Sequence, residues 1–397
     1  MIVLTLEQAL SMSYATLRLV HQGFRVIRVE PTPAGGRASK GDPNRYIGRE
    51  VAGADRHSYF VAPNVGKEAV ALNLKHAAGR ELLLRLVRDL PADVVCTNTL
   101  PSRHVELGID YETLSAARPE LVWCCISAMG PAEPDVPGYD PMLQALCGYM
   151  DLTGNADGPP LQCGPPLIDL KAGDEAFLQV MLALAERERT GYGKRIDISM
   201  AQAAVSWLHT FLPMLDMGST AAELRRAGNE HRQFVPVNAY RTLDGFIYIA
   251  VGSDAQWQRL ARHPLFTALA RAEYDTNEGR RAHKAAVYQA IEEVTSRHTF
   301  ADLAAALRAV TVPHAPITPV DQLADLPFVK STALRTVTPD GRTVRLPPPA
   351  VTTPYLENSY GELPFAPSYG QHTNTLLREA GLGDDEVAAL RHDGVVA

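Results

Sequence analysis

Short apolar runs alternate with amphipathic stretches through the first half of the chain. Phe24 to Glu30, Ala69 to Leu74, Ala92 to Thr97 and Leu121 to Ser127 are compact apolar runs and predict strands. Between them Ala78 to Leu90 has helical spacing, and Thr5-Leu6-Glu7-Gln8 has capping-box spacing that predicts a helix through about Leu19. A further helix is predicted over Pro141 to Leu152. From Phe177 the apolar positions fall at Phe177, Val180, Met181 and Leu184, one buried face of a long helix. Thr190-Gly191-Tyr192-Gly193 stops it, with glycines suited to a C-cap. Arg195 to Met200 then alternates as a strand and Ala201 to Leu215 returns to helix. This rhythm predicts an α/β fold with a parallel sheet.

The pattern changes at Gly218 to His231, a polar, basic segment read as a linker. Val235 to Thr242 and Phe246 to Val251 form a predicted hairpin through Leu243-Asp244-Gly245. Helices follow near Ala255 to Arg262, Arg281 to Arg297 and Phe300 to Val310, giving a smaller α+β domain over 232–327. From Phe328 onward short strands alternate with Pro-rich connectors, Pro347 to Pro349 and Pro364 to Pro367, which predict arms able to reach another subunit.

Composition removes several classes of function. The formal net charge of −7 speaks against a nucleic-acid binder, and no apolar run approaches the ~20 residues that span a bilayer. The N-terminus shows no cationic leader, which points to the cytoplasm. Cys96, Cys124, Cys125, Cys147 and Cys163 have no metal-binding spacing and read as structural thiols. The twelve histidines are scattered, none near Asp169, so a histidine triad or a metal site is not expected.

Three features remain as candidate chemistry. Asp169 lies in Pro165-Pro166-Leu167-Ile168-Asp169-Leu170-Lys171-Ala172-Gly173, where an apolar run is expected to hand over to a helix. There it is either a helix cap or a nucleophile kept ionised by the helix dipole. Residues 21–67 carry eight Lys/Arg against four Asp/Glu; Arg37, Lys40, Arg45, Arg49 and Lys67 suit either a phosphate-binding loop or a solvated one. Tyr139 is either a hydrogen-bond donor to a substrate or an ordinary seam aromatic.

In order and spacing, several motifs resemble the family III CoA-transferases, which include α-methylacyl-CoA racemases. They are Val26-Ile27-Arg28-Val29-Glu30, Asn64-Val65-Gly66-Lys67, Gly138-Tyr139-Asp140, the Asp169 to Gly173 stretch, and Arg187-Glu188-Arg189-Thr190-Gly191-Tyr192-Gly193-Lys194. The resemblance implies a Rossmann-like large domain built from 1–217 and a return segment, 328–397, and an interlocked ring-like homodimer. It implies coenzyme A and its thioesters as substrates, with no permanently bound cofactor. Asp169 matches the catalytic aspartate and Tyr139 a position that contacts the acceptor acid. Lys67, Asn98 with Thr99, and Met200 match the CoA path. Pro31 follows Glu30 where the family has a cation, leaving Arg37 for the phosphate or adenine; Arg103 substitutes for a cation replaced by Glu106. In the racemases the Tyr139 position is a histidine; a phenol with its ordinary pKa near 10 suits transfer better than proton exchange at Cα. The expected reaction is CoA transfer, with succinyl-CoA as donor, a short dicarboxylic acid as acceptor, and aspartyl anhydride and aspartyl-CoA thioester intermediates. Racemisation is the alternative, and a silent CoA-binding homologue the alternative of another class.

Overall fold

A computed structural model describes residues 1–33 and 40–397. Six parallel strands form the main sheet: β1 (Ile2–Leu6), β2 (Arg25–Pro31), β3 (Lys67–Leu72), β4 (Val94–Thr97), β5 (Val122–Ser127) and β6 (Arg195–Ser199). Their order, β3-β2-β1-β4-β5-β6, reverses direction of winding between β1 and β4. That is the doubly wound arrangement, whose ligand crevice opens at the carboxyl ends of the strands beside the switch point.

β1 corrects the predicted first helix. Val3, Leu4 and Thr5 are buried between β2 and β4, so the run from Ile2 to Leu6 is a central strand, and the helix begins only at Ser11. Gln8 had the spacing of a capping residue, but its backbone N–H and carbonyl bond the Asn98 side chain, and Glu7 before it is buried among cations. The predicted 141–152 helix breaks at Gly148 (φ +86°), and the 201–215 helix divides into Met200–Ser206 and Leu212–Asp216 across a 3-10 turn. Asp169 also moves: no strand precedes it, and Pro165-Pro166 lead directly into a helix from Leu167 to Thr190.

The chain separates into two compact units. The larger holds 1–147, 164–209 and 326–397; the smaller holds 148–163 and 210–325. Residues 148–163, expected with the large domain, belong to the smaller unit because Arg226 grips them, donating to the Gly158 carbonyl and pairing with Asp151. The small unit's three-stranded sheet places β8 (Gly245–Ala250) between β7 (Val237–Thr242) and β9 (His314–Pro316), over a core that includes Trp257, Phe266 and Leu303. In the larger unit the return segment adds a second small sheet, from β10 (Leu334–Val337), β11 (Thr343–Leu346) and β12 (Glu362–Leu363). Its end also closes the edge of the main sheet, where Val396 pairs antiparallel with Leu72 and Asn73 N donates to the Val395 carbonyl.

Two glycines after the long helix have different work. Gly191 takes φ +76° as the C-cap, whereas a Cβ on Gly193 would lie 1.9 Å from the Leu121 carbonyl oxygen. The second is therefore needed for the close entry of β6 against the start of β5.

Candidate active site

Asp169 is the third residue of its helix, one turn before Gly173. A Cβ at Gly173 would meet Ser11 O at 2.7 Å and the Tyr14 ring at 2.8 Å, so glycine lets this helix lie directly on the Ser11–His21 helix. The two run in the same sense, since Gly173 meets Ser11 while Asp174 pairs with Arg18. The Ser11–His21 helix starts beyond the carboxyl end of β1. The first turn of the Asp169 helix is thereby brought to that same edge of the sheet.

Pro166 offers no side-chain cap to the Asp169 helix. The acceptor comes from Asp140, buried at the start of the Asp140–Leu146 helix. Its Oδ2 accepts from Ile168 N at 2.7 Å and from Asp169 N at 3.2 Å, while Oδ1 accepts from Gln144 Nε2 at 2.6 Å. Asp169 itself is half-buried and has no ion pair among the described residues. Burial, reinforced by the Asp140 carboxylate, pushes its carboxyl up to about 7.

The carboxyl ends of the first four strands surround a cavity of about 240 Å³. Glu7 and Gln8 line it from β1, Glu30 to Pro33 from β2, Leu72 to Lys75 from β3, and Thr99 with Arg103 from beyond β4. The two glutamates do not make it acidic, because both belong to a buried, paired network. Arg28 reaches Glu7 (2.8 Å) and Asp42 (2.9 Å); Lys67 reaches Glu7 (2.7 Å); Arg45 Nε donates to Glu30 Oε1 (2.9 Å). All six of these side chains are buried. Burial alone raises the Glu7 carboxyl, but Lys67 and Arg28 outweigh it and bring the group down to about 2. Burial brings the Lys67 ammonium down to about 8 against the pull of Glu7.

The family model of CoA-transferase family III matches residues 1–373. The chain belongs to that family. It is similar to the succinate–glutarate CoA-transferase of Agrobacterium fabrum, 32% identical over 388 residues, covering 95% of this chain and 94% of the relative. The human succinyl-CoA:glutarate CoA-transferase is 28% identical, with 99% of this chain and 88% of that protein covered. Among solved structures, a CaiB/BaiF family protein from Brucella suis superposes with a TM-score of 0.81 at 29% identity, covering 96% of this chain and 98% of the other.

This family III transferase is an enzyme that transfers CoA, and its structure sorts the residues expected to serve that reaction. Thr99 and Arg103 line the cavity; Arg103 lies 3.8 Å from Glu106, and the buried His104 bonds the Thr99 carbonyl. Asn98 acts on the neighbouring loop: its Oδ1 accepts from Gln8 N (2.9 Å) and its Nδ2 donates to Gln8 O (2.7 Å), fixing a cavity-lining residue. Lys67, expected on the CoA path, is buried, and its ammonium bonds Glu7, the Ser13 carbonyl, Thr16 and Asn64. Arg45 is likewise engaged, by Glu30 and the Pro367 carbonyl. Met200 is buried at the start of the Met200–Ser206 helix and contributes packing. Tyr139 is 74% exposed, immediately before the capping Asp140. Arg37 lies outside the described residues.

Sequence reasoning missed Lys75 and Asp140. Lys75 is an exposed cavity-lining cation just past the end of β3, a position where a lone lysine after a strand is the available signal. Asp140 stood inside a quoted motif, but its target is 29 residues further along.

Proposed function

We propose that this transferase moves CoA from succinyl-CoA to a short dicarboxylic acid, with the Asp169 carboxylate as nucleophile. The observation that carries this reading is Asp169 itself: half-buried, without an ion pair among the described residues, and more basic than an ordinary carboxylate. Such a group holds a substantial ionised fraction at neutral pH and is a stronger nucleophile than a solvated aspartate. The cavity in the same unit supports placement of the CoA nucleotide at the strand ends, with Lys75 and Arg103 as its cations. The names of the relatives support succinyl-CoA and a dicarboxylate.

In the first step an Asp169 oxygen attacks the thioester carbonyl, the C–S bond breaks, and CoA leaves as thiolate. That thiolate attacks the aspartyl carbonyl of the mixed anhydride, releasing succinate and leaving Asp169 as its CoA thioester. The acceptor carboxylate then displaces the thiolate to form a second anhydride. Return of the thiolate to the acceptor acyl carbon gives the new acyl-CoA and restores Asp169. Bonds are exchanged without net gain or loss of protons or electrons.

Tyr139 is proposed to donate its hydroxyl hydrogen to the acceptor acid, and a homodimer to be the working form in the cytoplasm. The buried thiols of Cys96, Cys124, Cys125 and Cys147 support a reducing setting. The test is incubation with succinyl-CoA and a pool of organic acids, with new CoA esters identified by mass. A single dicarboxylyl-CoA product is expected. Loss of α-deuterium from a branched acyl-CoA without acid exchange would overturn transfer in favour of racemisation, and sedimentation as a monomer would overturn the dimer.

A further inference from the structure

The nucleophile's helix begins without an internal cap, and the group that replaces it comes from another element. Asp140 is 2% exposed and accepts two successive N–H groups, Ile168 and Asp169, on one oxygen. Its second oxygen is fixed by Gln144 from one turn later in the Asp140–Leu146 helix. The two contacts lock the first turn of one helix to the first turn of another. Because one of the two N–H groups is that of Asp169, any displacement of Asp140 is transmitted to the nucleophile through a single residue.

We propose that Asp140 is a positioning residue for Asp169, holding its backbone in place and setting the field at its carboxyl. The inference rests on the reading of Asp169 as nucleophile. A neutral acceptor would suffice for a cap; the carboxylate does more, because it is the neighbouring charge that remains uncompensated. On the Asp169 helix Lys171 pairs with Glu175, Asp174 with Arg18 and Arg187 with Asp93. From the Ser11–His21 helix the facing groups are Tyr14 and Arg18. The Met200–Ser206 helix brings no charged side chain, β5 brings none, and from β6 Asp197 is paired with Arg195. Among the described residues Asp140 alone adds net negative charge beside Asp169, and burial together with like charge keeps a carboxyl basic.

The experiment combines kinetics with a direct titration. Protein labelled with 13C at aspartate carboxyls is titrated by NMR, the Asp169 resonance being assigned by its loss in Asp169→Asn. In Asp140→Asn the midpoint of Asp169 is expected to fall by about one pH unit, and the rising limb of kcat against pH to move with it. Asp140→Glu keeps the charge, so the midpoint stays while kcat falls as the longer side chain misplaces the turn. Asp140→Ala loses both functions, with kcat down on the order of a hundredfold and KM for the CoA donor changed less than about threefold. An unchanged midpoint in Asp140→Asn, with only thermal stability reduced, would overturn the proposal. The titration reads the Asp140 effect without turnover. If Asp169→Ala retained full transfer activity, the functional reading would fall while the midpoint still judged the field.

Discussion

Two carboxylates in the same large unit, Glu7 buried and Asp169 half-buried, end with opposite acidities. Glu7 is drawn down to about 2 by Lys67 and Arg28, whereas Asp169, beside Asp140 and with no paired cation among the described residues, is pushed up to about 7. Burial by itself raises both groups. What separates them is the sign of the nearest charge. The first arrangement makes a rigid cavity wall from groups whose hydrogen bonds are all internal. The second leaves a reactive group whose desolvation is not offset within the protein, a cost compatible with a nucleophile and poor for stability.

The largest effect should come from removing the reactive member. Asp169→Ala is expected to lower transfer by at least about a thousandfold while CoA binding, followed by calorimetry, changes little. Appreciable residual transfer would erase the distinction drawn between the two carboxylates. Next is the paired member: Glu7→Gln leaves Lys67 buried without its carboxylate and Arg28 with one close carboxylate, Asp42, in place of two, and should cost about 3–5 kcal/mol in denaturant unfolding. A loss below about 1 kcal/mol would mean that water reaches the network.

A smaller effect sharpens the contrast through pH. The folded pKa of Glu7 lies below its ordinary value, so its stabilising contribution is present above about 4.5 and is lost as pH falls toward 2. That of Asp169 lies above its ordinary value. The folded form is therefore favoured at low pH, and this advantage drains away as pH rises from about 4 through 7. Asp169→Asn should consequently raise stability near pH 8, by up to about 4 kcal/mol, and leave it unchanged near pH 4, as measured by paired denaturation curves. The smallest expected effect is that of Lys75→Ala. One exposed cation contributes about 1 kcal/mol at most, so CoA should bind about fivefold more weakly, with the difference shrinking in high salt.

The parallel sheet was legible because four of its strands are compact apolar runs bounded by polar turns. β1 was not, since Thr5-Leu6-Glu7-Gln8 satisfies helix-capping spacing equally well, and only the partners of Glu7 decide between the two. Asp169 could be found by its motif, but its acidity depends on Asp140, whose approach is tertiary. Lys67 is the converse case. A lysine at a strand's start reads as available to a phosphate, and nothing in its neighbours along the chain reveals four acceptors arriving from Glu7, Ser13, Thr16 and Asn64. Gly193 gave its presence but not its reason, because the colliding carbonyl of Leu121 belongs to another strand.

The antiparallel bridge from Val396 to Leu72 also sets a timetable. β3 is an outer strand of the main sheet, and the segment that covers its end is synthesised about 320 residues later. At roughly 10 residues per second, the ribosome leaves that edge open for about half a minute. During this interval the nascent sheet presents unpaired backbone to other chains, the usual route to aggregation. Trimming the chain after Asp393 should open only the far end of that edge, since His372 and Thr373 still bond Ala69 and Ala71: a more aggregation-prone protein is expected, with amide exchange at Asn73 accelerated before exchange elsewhere in the sheet.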